Sequence, residues 1–99
     1  NNGGGAIFHA LPGLDMAGDT RRFVTASHGA SAAGWAESQG FTYLRATDTV
    51  SLLAAFDDLL DEAATAPVLL EVFIDAETDA EEQRNYYHAV KEEWKNFLR

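Results

Sequence analysis

Asn1-Asn2-Gly3-Gly4-Gly5 places two amides directly before three glycines, and Ala6-Ile7-Phe8-His9-Ala10-Leu11-Pro12 follows at once. Amide and carbonyl oxygens are ligands that a hard cation such as Mg²⁺ accepts. Glycine lets a backbone approach a phosphate with no Cβ in the way. The combination therefore points to a cradle for a cation and a phosphate. The same five residues also fit a hairpin turn or a flexible linker. A linker, however, does not normally pass straight into Ile7-Phe8 and Leu11-Pro12.

Other groups that could do chemistry are scattered. His9, His28 and His88 show no metal-ligand spacing. His88 falls on a polar face with Arg84 and Lys91, which makes it a solvated surface residue. His28 precedes Gly29 and reads as a loop hydrogen-bonding residue, with substrate contact as the alternative, while His9 adjoins the glycine motif. Arg21-Arg22 is a basic pair that reads first as surface and second as a carboxylate clamp. Asp57, Asp58, Asp61 and Glu62 share one helix face. Catalytic carboxylates need environments that push their pKa values apart, and one exposed face does not provide them. No Ser-His-Asp arrangement, Walker motif or nucleophile elbow is present, and no catalytic residue is assigned.

The elements that must position the motif follow from pattern. Ninety-nine residues suit one domain, and 46% hydrophobic residues argue for a modest core. Sixteen acidic against seven basic residues give a net charge of −9, which disfavours nucleic acid and anionic membrane as partners. With no cysteine there is neither a disulfide nor a thiolate zinc site, and a cytoplasmic location is expected. The apolar runs 52–56 and 67–70 are too short to span a bilayer.

Gly13 to Thr20 reads as an exposed loop. Ser31 caps a short helix that ends at Gly40, with Ala32, Trp35 and Ala36 on its inner face. Residues 41–46 alternate as a strand that puts Phe41, Tyr43 and Arg45 on one side. Asp48 or Thr49 caps a helix from Val50 to about Ala64, and Pro67 ends that stretch. Residues 68–75 form an apolar run suited to a strand buried on both faces, as in a parallel sheet. Thr78-Asp79-Ala80-Glu81 reads as a capping box opening a helix to about Leu98, with an aromatic stripe at Tyr86, Tyr87, Trp94 and Phe97. The order predicts an α/β layer, a parallel sheet flanked by helices, whose ligands bind beyond the carboxyl ends of the strands.

With the motif placed at such an edge, residues 1–12 resemble the signature of the 2-succinyl-5-enolpyruvyl-6-hydroxy-3-cyclohexene-1-carboxylate synthases, thiamine-diphosphate enzymes of menaquinone biosynthesis. Ala10 is a departure from that signature. Arg22-Phe23, His28-Gly29, the helix ending at Gly40, the strand containing Tyr43, and Glu71 within an apolar strand keep the family's order downstream. The resemblance covers essentially the whole chain, and its first twelve residues are the specific part. It implies the C-terminal part of a thiamine-diphosphate-binding, pyrophosphate-type domain: a cofactor-site motif at 1–12, a loop at 13–28, and helix–strand–helix–strand–helix over 29–99.

The resemblance also implies that Asn2 offers its side-chain oxygen and Gly4 its carbonyl to Mg²⁺, with an upstream Asp supplying a further ligand. Asn2, Gly3, Gly4, Gly5 and Ile7 would contact the cofactor, Gly3 and Gly5 allowing the backbone to hug the diphosphate. Ile7, Phe8 and Leu11 would wall the substrate pocket. The parent enzyme would decarboxylate 2-oxoglutarate and add the succinyl unit to isochorismate, as a homodimer or homotetramer with its other domains in place. The chain alone is expected to be inactive. The alternatives are another thiamine-diphosphate-dependent decarboxylase or synthase, and an acidic interaction module that is not an enzyme.

Overall fold

A computed structural model describes residues 1–11 and 19–99. Most of the segment read as a loop at Gly13 to Thr20, and Pro12 of the motif, lie outside the described residues. The chain divides into two compact units. One comprises Asn1 with Gly29–Ile74, the other Asn2–His28 with Asp75–Arg99.

The first unit is α/β. Its elements are α3 (Ala33–Ser38), β1 (Thr42–Ala46), α4 (Thr49–Leu59) and β2 (Val68–Val72). β1 and β2 pair in parallel, with Thr42 opposite Val68 and Ala46 opposite Val72. α4 packs on both strands and α3 on β1. Gly40 takes φ +79° just after α3, where the chain leaves the helix for the strand, and only glycine adopts that conformation freely.

α4 starts where the sequence places it. Asp48 accepts from the Ser51 N–H at 2.7 Å, and Ser51 Oγ accepts from the Asp48 N–H at 3.1 Å, closing a reciprocal cap. The helix ends at Leu59 rather than near Ala64. Asp61 folds into a local turn there, its carboxylate accepting from the Ala63 N–H at 2.9 Å.

Tyr43 and Arg45 share a face as alternation requires. The Tyr43 hydroxyl donates to Glu71, and the Arg45 guanidinium lies 4.4 Å from the Phe73 ring centre. Asn1 extends the ladder on the other side of β2. Its amino group donates to the Val72 carbonyl at 2.6 Å and its carbonyl accepts from the Ile74 N–H at 3.0 Å, the bonding of one parallel bridge.

The second unit holds α1 (Ile7–Ala10), α2 (Asp19–Val24) and the 22-residue α5 (Ala76–Phe97), with α1 packed on α5. α2 falls within the stretch read as loop. It ends in a Schellman turn, in which Ala26 N–H donates to the Phe23 carbonyl and Ser27 N–H to that of Arg22. Ala26, with φ +51°, stands where glycine usually signals such an end. α5 begins three residues earlier than its apparent capping box. Asp75 is the cap, its carboxylate accepting from both the N–H and the hydroxyl of Thr78.

The expected core is thinner than the composition suggests. Among the described residues the buried apolar side chains are Ala36, Ala46, Ala55 and Ala80, and no large side chain is fully buried. β2 is half-buried along most of its length rather than enclosed on both faces, and Trp35 lies 57% exposed while Ala36 beside it is buried.

Candidate functional site

The glycine turn is held by the segment that follows α2. Gly5 N–H donates to the Thr25 carbonyl at 2.7 Å, and His28 N–H donates to the Gly3 carbonyl at 2.8 Å. Two strand-like bonds therefore fix the turn against residues 25–28. Gly3 sits at φ +71°, a left-handed conformation that costs a residue with a Cβ about 1–2 kcal/mol. A Cβ on Gly4 would stand 3.0 Å from the Thr25 carbonyl oxygen, and one on Gly5 would stand 2.8 Å from the Phe8 ring. Internal packing thus accounts for glycine at positions 4 and 5. The Asn2 side-chain oxygen accepts from the Gly4 N–H at 3.1 Å, an Asx turn that keeps the amide oxygen beside the Gly4 backbone.

This turn forms one wall of a cavity of about 280 Å³ within the second unit. Asn2, Gly3 and Gly4 face it, together with His9 of α1 and Arg21 and Arg22 of α2. Thr25 and Ser27, whose hydroxyls lie 2.7 Å apart, form a second wall, and Asp75 and Glu77 at the start of α5 a third. Thr25 is 3% exposed, its hydroxyl turned back to the Arg21 carbonyl at 2.9 Å.

The charges are partly compensated. Arg21 pairs with Glu77 at 3.1 Å, and the Thr78 N–H and hydroxyl, with a smaller contribution from His9, hold the Asp75 carboxyl below the usual carboxylate range. The residues that line the cavity bring oxygen donors and two guanidinium groups to it. It can take an anion that carries a hard cation.

The structure therefore gathers Asn2 and Gly4, the candidate metal ligands, and Gly3 with three residues weighed as secondary candidates: His9, Arg21 and Arg22. Gly5, Ile7, Phe8 and Leu11 do not line this cavity. Ile7 is 63% and Leu11 44% exposed, and Phe8 is half-buried against Gly5. His28 bonds the Gly3 carbonyl through its backbone N–H, and His88 is exposed on α5. No cluster of three or more His, Cys, Asp or Glu that could hold a metal occurs among the described residues.

Sequence reasoning missed Thr25, Ser27, Asp75 and Glu77. Asp75 carried a usable signal, since Asp-x-x-Thr before a helical run is a capping pattern. Thr25 and Ser27 carried none, because the turn that aims them ends on alanine.

Amide and carbonyl oxygens two residues apart, beside guanidinium groups, form a donor set that fits Mg²⁺ with a diphosphate. A Bacteroides thetaiotaomicron protein is 47% identical over 93 residues, which is 93% of this chain and 17% of that protein. A Bacteroides fragilis protein is 49% identical over 92 residues, 92% of this chain and 17% of its own length. A Phocaeicola vulgatus protein is 46% identical over 92 residues, 92% of this chain and 16% of its own length. All three are named 2-succinyl-5-enolpyruvyl-6-hydroxy-3-cyclohexene-1-carboxylate synthase.

This chain is homologous to those synthases. It spans about one sixth of the length of the curated relatives it matches. No family model and no solved structure matches the chain. None of the helices described is long and apolar enough to cross a membrane.

Proposed function

We propose that this chain supplies one lip of the cofactor site of a thiamine-diphosphate-dependent synthase of menaquinone biosynthesis. The reaction decarboxylates 2-oxoglutarate and adds the resulting four-carbon unit to isochorismate. What supports this reading most is the coincidence of two facts. The chain is 46–49% identical to proteins named as that synthase, and its Asn2–Gly4 turn lines a cavity together with Arg21 and Arg22.

In this reading the Asn2 side-chain oxygen and the Gly4 carbonyl hold Mg²⁺, and Gly3 keeps the turn in the conformation that presents both. The Arg22 guanidinium offers charge and hydrogen bonds to the diphosphate side, while the Thr25 and Ser27 hydroxyls, bonded to each other and to the Arg21 carbonyl, build the wall beside it. Gly5 acts from behind, by bonding to Thr25 and giving Phe8 its room. Ile7, Phe8 and Leu11 supply apolar surface outside the cavity, suited to a substrate wall that excludes water. Thiamine diphosphate, when bound, supplies the electron sink that lets a 2-oxo acid lose carbon dioxide. The whole enzyme would work in the cytoplasm as a homodimer or homotetramer, and the 99 residues alone would show no turnover.

The test is a calorimetric titration of the full-length protein with thiamine diphosphate, with and without Mg²⁺, alongside an assay with 2-oxoglutarate and isochorismate. Mg²⁺-dependent binding, lost on Asn2→Ala, and formation of the joined product support the reading. Absence of cofactor binding in the unaltered protein would overturn it and favour an acidic interaction module. Binding without use of isochorismate would favour another thiamine-diphosphate enzyme.

A further inference from the structure

Glu71 is only 8% exposed, and its carboxylate meets donors from three separate stretches of the first unit. Oε1 accepts from Asn1 Nδ2 at 2.8 Å and from the Ala32 N–H at 3.0 Å. Oε2 accepts from the Tyr43 hydroxyl at 2.6 Å, from Ser31 Oγ at 2.7 Å and from the same Ala32 N–H at 3.0 Å. Burying a carboxylate is costly unless such donors satisfy it, and here both oxygens are saturated.

Asn1 is the member of this cluster that leads elsewhere. Its Nδ2 also donates to the Ala30 carbonyl at 2.8 Å, and its backbone is bonded to Val72 and Ile74. An asparagine amide has two N–H donors, and both are used here. Aspartate has the same shape and no donor. The residue that immediately precedes Asn2 is thus clamped by its backbone to β2 and by its side chain to Glu71 and Ala30.

We propose that Glu71 is a positioning residue for the cation–diphosphate site: by holding the Asn1 amide it fixes the residue from which the Asn2–Gly5 turn starts. Glu71 itself need not touch the cofactor. The inference rests on the functional reading above and adds to it a role for Glu71, a residue of β2 that the resemblance marks by position alone. Partners that orient a ligand-bearing segment typically contribute about 10–100-fold to metal affinity when removed, and Glu71 acts one residue further back.

The experiment uses the full-length protein and four variants: Glu71→Ala, Glu71→Gln, Asn1→Asp, and Asn1→Asp combined with Glu71→Gln. The readouts are the dissociation constant for thiamine diphosphate at fixed Mg²⁺ and kcat at saturating cofactor. Glu71→Ala and Asn1→Asp are each expected to weaken cofactor binding by about tenfold or more, a loss largely made up at saturating cofactor. Glu71→Gln keeps an oxygen for the Asn1 amide and is expected to bind far better than Glu71→Ala. Asn1→Asp sets two carboxylates together, so adding Glu71→Gln is expected to restore affinity by removing the repulsion and supplying a donor.

Unchanged affinity in Asn1→Asp, or a double variant no better than Asn1→Asp alone, would overturn the proposal. Should Glu71→Ala fail to fold, the Asn1→Asp pair still decides. Failure of the unaltered protein to bind thiamine diphosphate would instead overturn the functional reading beneath it.

Discussion

Ala26 carries the one left-handed backbone conformation outside glycine among the described residues, with φ +51°, and it sits between the two hydroxyl residues of the cavity. That conformation costs a residue with a Cβ about 1–2 kcal/mol, while glycine loses about 0.5–1 kcal/mol of extra chain entropy on folding. The first term exceeds the second. Ala26→Gly is therefore expected to stabilise the folded segment by about 0.5–1 kcal/mol, read as a higher denaturation midpoint of the full-length protein. A lower midpoint would show that the Ala26 methyl makes contacts worth more than the strain.

Glu71 gives a second prediction at this scale, with a defined sign. Hydrogen bonds from the Tyr43 hydroxyl first, then from Ser31, Asn1 and Ala32, lower its pKa from 4.5 to about 2 despite the opposing cost of burial. A depressed folded-state pKa contributes stability above the unfolded value that is lost as pH falls through the folded one. The stability difference between the unaltered protein and Glu71→Gln is thus expected to be constant above about pH 5 and to shrink from there toward pH 2. The same bond to Glu71 raises the Tyr43 pKa above 10.0, so Tyr43 adds no titration in that window. A difference that persists undiminished at pH 3 would mean that the carboxylate charge is not what the four donors stabilise.

Helix ends divide what was legible in the chain from what was not. The two strands, α4 and most of α5 follow from spacing, because alternation over 42–46 and the 52, 53, 56, 59 stripe repeat often enough to decide the period. The ends depend on single side chains. The sequence leaves the cap of α4 open between Asp48 and Thr49, and the bonds with Ser51 decide for Asp48; at α5 Thr78 looks like a cap and instead donates to one, Asp75. α2 gives little signal because it spans only 19–24 and the turn that follows it carries Ala26 where glycine would mark a helix end. The cavity inherits this limit. Asn2, Gly3 and Gly4 were visible as a motif, whereas Thr25, Ser27 and Asp75 are placed there by the ends of α2 and α5.

The caps can be tested as elements. Asp75→Ala removes the acceptor for the Thr78 N–H and hydroxyl, and the first-turn amides of α5 are expected to exchange with solvent several-fold faster, with Asp75→Asn falling between. Asp48→Ala should do the same to the first turn of α4 and leave α5 untouched. Equal exchange in the capped and uncapped proteins would show that packing, and not the cap, holds those turns.

For the molecule as a whole, burial is the decisive quantity. Fully burying a large apolar side chain stabilises a fold by about 1.5–3 kcal/mol, and domains are held by many such terms set against the entropy of ordering the chain. Among the described residues the buried apolar set is four alanines, three in one unit and one in the other. The large side chains that composition promised to a core are on the surface instead: Tyr86 is 64%, Trp94 62% and Phe97 78% exposed along α5. Trp94 and Phe97 stack on each other at 5.7 Å and still leave most of their surface to water.

Hydrogen bonding cannot make up that deficit, since each bond made on folding replaces one to water and nets only about 0.5–1.5 kcal/mol. The 99 residues expressed alone are therefore expected to melt without a cooperative transition, to bind a dye that reports exposed apolar surface, and to show weak near-ultraviolet dichroism from Trp35 and Trp94. The same two tryptophans in the full-length protein are expected to be ordered and to report a sharp transition. A sharp, reversible transition of the isolated chain as a monomer would show that the alanine-lined interior suffices, and that the exposed aromatic face needs no cover.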